Sequence, residues 1–319
     1  MDERVARARP LWVLSGATGT GKSDWAVHAA QHHPVEIVSV DSAMVYRGMD
    51  IGTAKPPPAV RARVPHHLID ICDPAEVYSA GRFVADATAR IAEIHGRGSI
   101  PLLVGGTFLY LRALLNGLAR LPPASVALRR TLDERAAREG WPALHAQLQR
   151  LDPQAAARIH ANDSQRIQRA LEVCLATGEA LSQLQRARAN SPAPYRTRRW
   201  ALVPAERGLL HANLEKRFNT MMAHGFLSEV ERLFKRGDLH GGHAAVRAVG
   251  YRQLWAHLSG ACTLTEAVKR GIAATRQLAK RQITWIRSDA TLERVDPYAA
   301  GACDEWNRQL DDELSKLGR

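Results

Sequence analysis

The sequence predicts an α/β fold, a parallel sheet flanked by helices with an all-helical domain inserted into it, and three observations carry that prediction. The apolar run Leu11 to Leu14 leads into Gly16-Ala17-Thr18-Gly19-Thr20-Gly21-Lys22-Ser23 and then into an Ala-rich helical pattern, so strand, glycine loop and helix follow one another. Two further apolar runs, Val35 to Val40 and Ile100 to Val104, end at Asp41 and at Gly105-Gly106, and a segment of helical spacing, Gly81 to His95, separates them. Strand, helix, strand, helix, strand is the order of a parallel sheet whose crossovers are helices. From about Leu121-Pro122-Pro123 to Pro192-Ala193-Pro194 the chain becomes rich in Ala, Leu, Arg and Gln, with helical period and proline at both ends.

Taken in order, the elements divide the chain into a core of residues 1–119 and 196–296, a helical insertion of residues 120–195, and a tail of residues 297–319. Trp200 to Val203 reads as a strand rejoining the sheet. Helices follow around Leu209 to Gly225, Phe226 to Arg236 and Thr265 to Arg287. Beyond Pro297 the residues are polar with scattered apolar positions and carry little signal.

The glycine loop has the spacing G-x-x-x-x-G-K-[ST], so the fold is expected to be P-loop NTPase-like. Gly16, Ala17, Thr18, Gly19, Thr20, Gly21, Lys22 and Ser23 would cradle a diphosphate with backbone N–H groups at a helix N-terminus. Lys22 would neutralise phosphate charge and Ser23 would hold Mg²⁺. Ligands of such sheets gather at the carboxyl ends of the strands, so Ser15 to Ser23, Asp41 and Gly105 to Thr107 should converge. An acid at that edge, Asp41, suits either a Mg²⁺ ligand or a general base, and a plain capping Asp is the alternative.

Composition narrows the partners. Apolar content of 45% and charged content of 24% are those of a globular chain. No apolar run approaches the roughly 20 residues that span a bilayer, and Met1-Asp2-Glu3-Arg4 starts no apolar leader, so a cytoplasmic protein is expected. Cys72, Cys174, Cys262 and Cys303 form no C-x-x-C pair, and the histidines, His66-His67 among them, lack partners at ligand spacing, which argues against a zinc site or disulfide framework. The net charge of +12 falls almost wholly after residue 119, where 32 Lys+Arg face 21 Asp+Glu. A near-neutral phosphate-loop half joined to a basic remainder points to a polyanionic second substrate, most simply nucleic acid.

The segment Asp41-Ser42-Ala43-Met44-Val45-Tyr46-Arg47-Gly48-Met49-Asp50-Ile51-Gly52-Thr53-Ala54-Lys55-Pro56 resembles, with the loop before it, the tRNA dimethylallyltransferase (tRNA isopentenyltransferase) family. The likeness continues in order through Tyr78-Ser79-Ala80, Leu102 to Thr107, Asn162 to Glu172, Val249 to Gln253 and Arg276 to Trp285. The resemblance implies transfer of the dimethylallyl group of dimethylallyl diphosphate to N6 of the adenosine at position 37, just 3′ of a tRNA anticodon, with release of diphosphate. It implies Asp41 as the base that takes the N6 proton, with Lys22 and Thr107 beside it as catalytic residues, Arg217 at the diphosphate, and Mg²⁺ as cofactor. It assigns contacts with the anticodon loop and flipped-out base to Asp41, Ser42, Ala43, Met44, Thr107 and Arg129.

Other candidate tRNA contacts come from the residues themselves. Asp163 or Ser164 can cap a helix whose edge carries Gln165, Arg166, Gln168 and Arg169 beside Ile167 of its apolar stripe. Arg247, Ala248, Val249, Gly250, Tyr251 and Arg252 combine cationic donors with a ring able to stack on unpaired bases. Arg276, Lys280 and Arg287 recur at helical spacing. Ala17 stands where many relatives have proline and Met44 where glutamine is common; the zinc-finger extension of eukaryotic relatives is absent, so a bacterial-type enzyme is expected, and a monomer, since an RNA partner already accounts for the basic surface. A P-loop kinase or ATPase and a non-catalytic RNA-binding protein are the rival readings.

Overall fold

The computed structural model describes residues 9–119, 121–122, 125–186 and 195–318. Met1 to Arg4 and the boundary prolines Pro123, Pro192 and Pro194 lie outside them. The strands are β1 (Arg9–Gly16), β2 (Val35–Val40), β3 (His66–His67), β4 (Ile100–Gly105), β5 (Tyr195–Leu202) and β6 (Glu293–Val295). The longer helices are α1 (Lys22–His32), α2 (Ala80–Gly96), α3 (Phe108–Asn116), α4 (Val126–Glu139), α5 (Trp141–Leu151), α6 (Ser164–Thr177), α7 (Leu181–Arg186), α8 (Arg207–Ala223), α9 (Phe226–Phe234), α10 (Tyr251–Leu258), α11 (Leu264–Ser288) and α12 (Ala302–Leu317). The chain divides into two compact units, Met1–Leu111 with Pro194–Arg319, and Arg112–Ala193.

In the first unit the strands form one sheet in the order β3-β2-β4-β1-β5-β6, and every pairing is parallel. The fold is therefore the α/β class that the alternating pattern predicts. β2 and β4 are buried along their whole length, as expected of inner strands covered on both faces. By the period of the pleat, Trp12 and Leu14 face one layer while Leu11 and Val13 face the other. Trp12 and Leu14 join Trp25, Ala26 and Ala29 of α1 and Trp200 and Leu202 of β5 in one core. α2 covers β2 and β4, burying Phe83, Ala87, Ile91 and Ile94 at the spacing of one helix face.

The chain after Pro297 is part of that core. Trp306 of α12 is fully buried against Trp25 and Trp200, with ring centroids 5.7 and 5.9 Å away. Leu310 is buried with it, and Ala302, Cys303, Leu314 and Leu317 pack against the same core, so an apolar stripe at helical spacing on an otherwise polar helix seats the segment. β3 and β6, two and three residues long, are edge strands too short to show a pattern in sequence.

The second unit is all helical within the described residues. Leu132, Leu144, Leu148, Ile167, Ala170 and Leu171 form its core. The side chain of Asp163 caps α6 by accepting the Arg166 N–H at 3.2 Å, and Gly178 closes that helix with φ of +73°.

Candidate active site

The register of the parallel strands brings the carboxyl ends of β1, β2 and β4 together. Ser15 lies beside Gly105, and Val40 beside Gly105 from the other side. The phosphate loop after β1, Asp41 after β2 and Gly106-Thr107 after β4 thus meet at one edge, the position where doubly wound sheets hold their ligands.

The loop is shaped from within. Gly19 adopts φ of +80°, and a Cβ there would lie 2.6 Å from Leu214 Cδ2, so both backbone and space call for glycine. Thr20 Oγ1 donates to the Ala17 carbonyl at 2.8 Å, and Tyr298 Oη donates to that of Gly19 at 3.2 Å. Ala17 is packed among Leu210, Leu214, Ala279 and Ile283. α1 starts at Gly21 with no side-chain cap, the condition in which a helix N-terminus offers its N–H groups to an anion.

Lys22 and Arg217 supply the matching cations. Burial pulls the Lys22 ammonium down to a pKa of about 8, with Asp41 opposing the shift and Arg217 adding to it. Burial likewise lowers Arg217, opposed by Asp41 and Asp24. Two desolvated cations and a carboxylate therefore share one field, and an arriving anion of two or more charges relieves the repulsion between the cations. A cavity of about 640 Å³ opens here, lined by Gly19, Gly21, Ile51, Lys216, Arg217 and Met221, among others.

A narrower recess lies between the loop and the end of β2, lined in part by Lys22, Ser23, Ser39, Asp41, Met44 and Gly105. Asp41 Oδ1 accepts the N–H groups of Ala43 at 2.8 Å and Met44 at 3.2 Å, which fixes the carboxylate plane. Among the described residues nothing hydrogen-bonds to Oδ2. Thr107 Oγ1 accepts the Ser42 N–H at 3.2 Å, tying the end of β4 to that of β2. The hydroxyls of Ser23 and Ser39 and the carboxylate of Asp41 are hard oxygen donors in this recess, and no group of three His, Cys, Asp or Glu able to cage a metal occurs among the described residues. That donor set fits Mg²⁺, which keeps several waters and shares protein oxygens with substrate phosphates.

Two residues central to this architecture carry no role in the sequence reading. Glu229 of α9, buried to 1% exposure, accepts the N–H groups of Asp50, Ile51 and Gly52 at 2.8, 2.7 and 3.0 Å and the Tyr251 hydroxyl at 2.5 Å. It holds the segment that presents Ile51 to the cavity. Gln282 of α11 accepts the Thr18 N–H at 2.8 Å and donates to the Gly106 carbonyl at 2.9 Å. Both sit on otherwise apolar helix stripes, Phe226-Glu229-Val230-Leu233 and Ala279-Gln282-Ile283-Ile286, and a polar residue on a buried stripe is a signal legible in sequence.

The remaining candidates separate by exposure. Arg247, Arg252, Lys280 and Arg287 are exposed, and Ala248 and Val249 half-buried, all in the first unit. Tyr251 cannot be a stacking platform for RNA: its ring is 1% exposed, packed edge-on against Phe226, and its hydroxyl is committed to Glu229. Gly250 is buried beneath it, where its φ of +89° opens α10. In the helical unit Gln165 and Arg166 are exposed, whereas Ile167 is fully buried in the core, which closes it to contact with RNA. Arg129 and Arg169 both pair with the buried Glu172, at 3.1 and 2.8 Å, and Gln168 donates to Asp133 at 2.7 Å. The guanidinium groups keep 42% and 30% of their side-chain surface exposed, so their outer faces stay open.

A parallel sheet with a phosphate loop, two desolvated cations and a fixed carboxylate at one edge defines a phosphate-loop α/β protein. The chain belongs to the IPP transferase family, which matches residues 44–289. It is 55% identical to a tRNA dimethylallyltransferase of Bordetella petrii, over 93% of this chain and 96% of that one. It is 57% identical to one of Alkalilimnicola ehrlichii, over 88% of each. Among solved structures it resembles the full-length tRNA isopentenylpyrophosphate transferase of Bacillus halodurans, with TM-score 0.71, 35% identity and coverage of 98% and 99%. It also resembles a eukaryotic dimethylallyltransferase acting on tRNA, with TM-score 0.82, 26% identity and coverage of 97% of this chain and 80% of that one. No helix among the described residues is long and apolar enough to cross a membrane.

Proposed function

We propose that this chain transfers the dimethylallyl group of dimethylallyl diphosphate to N6 of the adenosine at position 37 of tRNA, releasing diphosphate. The observation that carries the reading is the grouping of Asp41 with Lys22 and Arg217 at the uncapped start of α1. The loop N–H groups, Lys22 and Arg217 bind the diphosphate and stabilise the charge that grows on it as the allylic C–O bond breaks and its electron pair leaves with the diphosphate. The adenine amine is a weak nucleophile because its lone pair is delocalised into the ring. As the N6–C bond forms, Asp41 takes the N6 proton on Oδ2, the oxygen left open by the Ala43 and Met44 N–H groups. Ser23 is the residue that would hold Mg²⁺, which when bound would supply further neutralisation of the leaving group.

Arg247, Arg252, Lys280 and Arg287 in the first unit, and Gln165, Arg166 and the open faces of Arg129 and Arg169 in the helical unit, are the side chains available to RNA phosphates and bases. The test is transfer of radiolabel from dimethylallyl diphosphate, with Mg²⁺, into a tRNA transcript carrying the target adenosine and into one lacking it. Label in the first alone is expected, and Asp41→Asn lowers the single-turnover rate by about 10²- to 10⁴-fold while tRNA binding holds within a few-fold. ATP consumption without label in either transcript overturns the reading, and equal loss of rate and binding overturns the role of Asp41.

A further inference from the structure

We infer that Gln282 is a positioning residue for the transfer reaction, setting the phosphate loop and the Thr107 strand end in one fixed relation through a single side-chain amide. The inference rests on the proposed transfer for its kinetic readout, whereas its binding readout needs only the diphosphate.

Gln282 is 9% exposed and uses both ends of its amide. Oε1 accepts the Thr18 N–H at 2.8 Å, and Nε2 donates to the Gly106 carbonyl at 2.9 Å. The first bond takes the Thr18 N–H out of the ligand-facing set, so the loop must turn at Gly19 to present its later N–H groups. The second holds the peptide just before Thr107, whose hydroxyl in turn accepts the N–H of Ser42 beside Asp41. One amide therefore spans from the diphosphate cradle to the residues next to the proton acceptor. An amide suits this place, since the two partners are one donor and one acceptor and it meets both in a single uncharged form.

The packing leaves no slack in the junction. A Cβ on Gly106 would lie 2.2 Å from Gln282 Nε2 and 3.0 Å from the Gly16 carbonyl, so a larger residue at 106 would push the Gln282 amide out of its present place. Ala279 and Ile283, on either side of Gln282 along α11, pack with Ala17, and hold the helix against the loop. Ångström-scale misplacement of groups that act at a transition state lowers rate even where the fold is intact.

The experiment compares wild type, Gln282→Met, Gly106→Ala and the double variant. The measurements are calorimetric affinity for inorganic diphosphate, kcat and KM for both substrates, and thermal unfolding. Gln282→Met, which keeps the length and removes both hydrogen bonds, is expected to weaken diphosphate binding and to lower kcat, each about tenfold, with KM for tRNA within about twofold. Gly106→Ala disturbs the same junction from the other side, so adding it to Gln282→Met is expected to cost less than about threefold more. A merely structural role would lower the folded fraction and kcat together, leave the affinity of the folded molecules for diphosphate unchanged, and let the two substitutions multiply. Either of those results overturns the inference. Absence of transfer by the wild type would instead strike the proposed function, and the diphosphate-binding cycle would still decide the role of Gln282.

Discussion

Replacing Lys22 by methionine should improve the stability of the fold while weakening its grip on diphosphate, and both effects follow from one number. Burial lowers the Lys22 pKa from 10.5 to about 8. At 1.36 kcal/mol per pKa unit this means that the folded state disfavours the ammonium by about 3 kcal/mol relative to the unfolded chain. Because the folded pKa lies below the unfolded one, the unfolded chain holds more protons between about pH 8 and 10.5, and the contribution of Lys22 to stability rises through that window. Lys22→Met removes the burden at neutral pH, so its unfolding free energy should exceed that of wild type by up to about 3 kcal/mol at pH 7 and match it near pH 10.5. Diphosphate acts in the opposite direction, since its charge restores the ammonium. At pH 8 about half of the free sites are neutral, so binding should take up about 0.5 proton more in wild type than in the variant, rising towards one at higher pH. Calorimetry of inorganic diphosphate in two buffers of different ionisation enthalpy reads this number, and the subtraction cancels the ligand's own titration. Equal proton uptake by the two proteins near pH 8 would refute the reasoning, because Lys22 would then be fully charged before the ligand arrives.

Other residues give further tests. Glu229→Ala strands three backbone N–H groups and the Tyr251 hydroxyl, and should cost roughly 3–5 kcal/mol in urea unfolding; a loss below about 1 kcal/mol would show that loop 50–52 is held by other means. The hydrogen bonds from Arg97 and then His67 outweigh burial and hold Glu36 down at about 2, so its stabilisation is present above the unfolded value of 4.5 and lost as pH falls through about 2. With Arg97 half-exposed, solvent screening leaves about 2 kcal/mol of this, and Glu36→Gln should flatten the acid limb of stability between those pH values. Trp306→Ala opens a cavity between Trp25 and Trp200 and should destabilise by about 3–5 kcal/mol in the same assay, whereas a loose tail would tolerate it at no cost.

What the sequence determined by itself is whatever depends on near neighbours in the chain. Short apolar runs give Val35 to Val40 and Ile100 to Val104 as strands because inner strands are covered on both faces, and the glycine spacing gives the phosphate loop because positive φ at Gly19 and the open start of α1 are local needs. Only the tertiary structure decided which side of the fold each candidate faces. Tyr251 reads as a ring to stack on RNA, and Ile167, though on an apolar stripe, stands among the RNA candidates, yet the packing of Phe226 around one and of Leu132, Leu144 and Leu148 about the other put both inside. Glu229 and Gln282 find partners 177 to 179 and 176 to 264 residues away along the chain, respectively. No pattern of nearby residues encodes such a bond, since a buried polar group is satisfied by whatever backbone the fold brings within about 3 Å of it. The depression of Lys22 has the same origin: its charge and its neighbours are written in the chain, but the exclusion of water that weakens its hold on a proton exists only once the helices have closed around it.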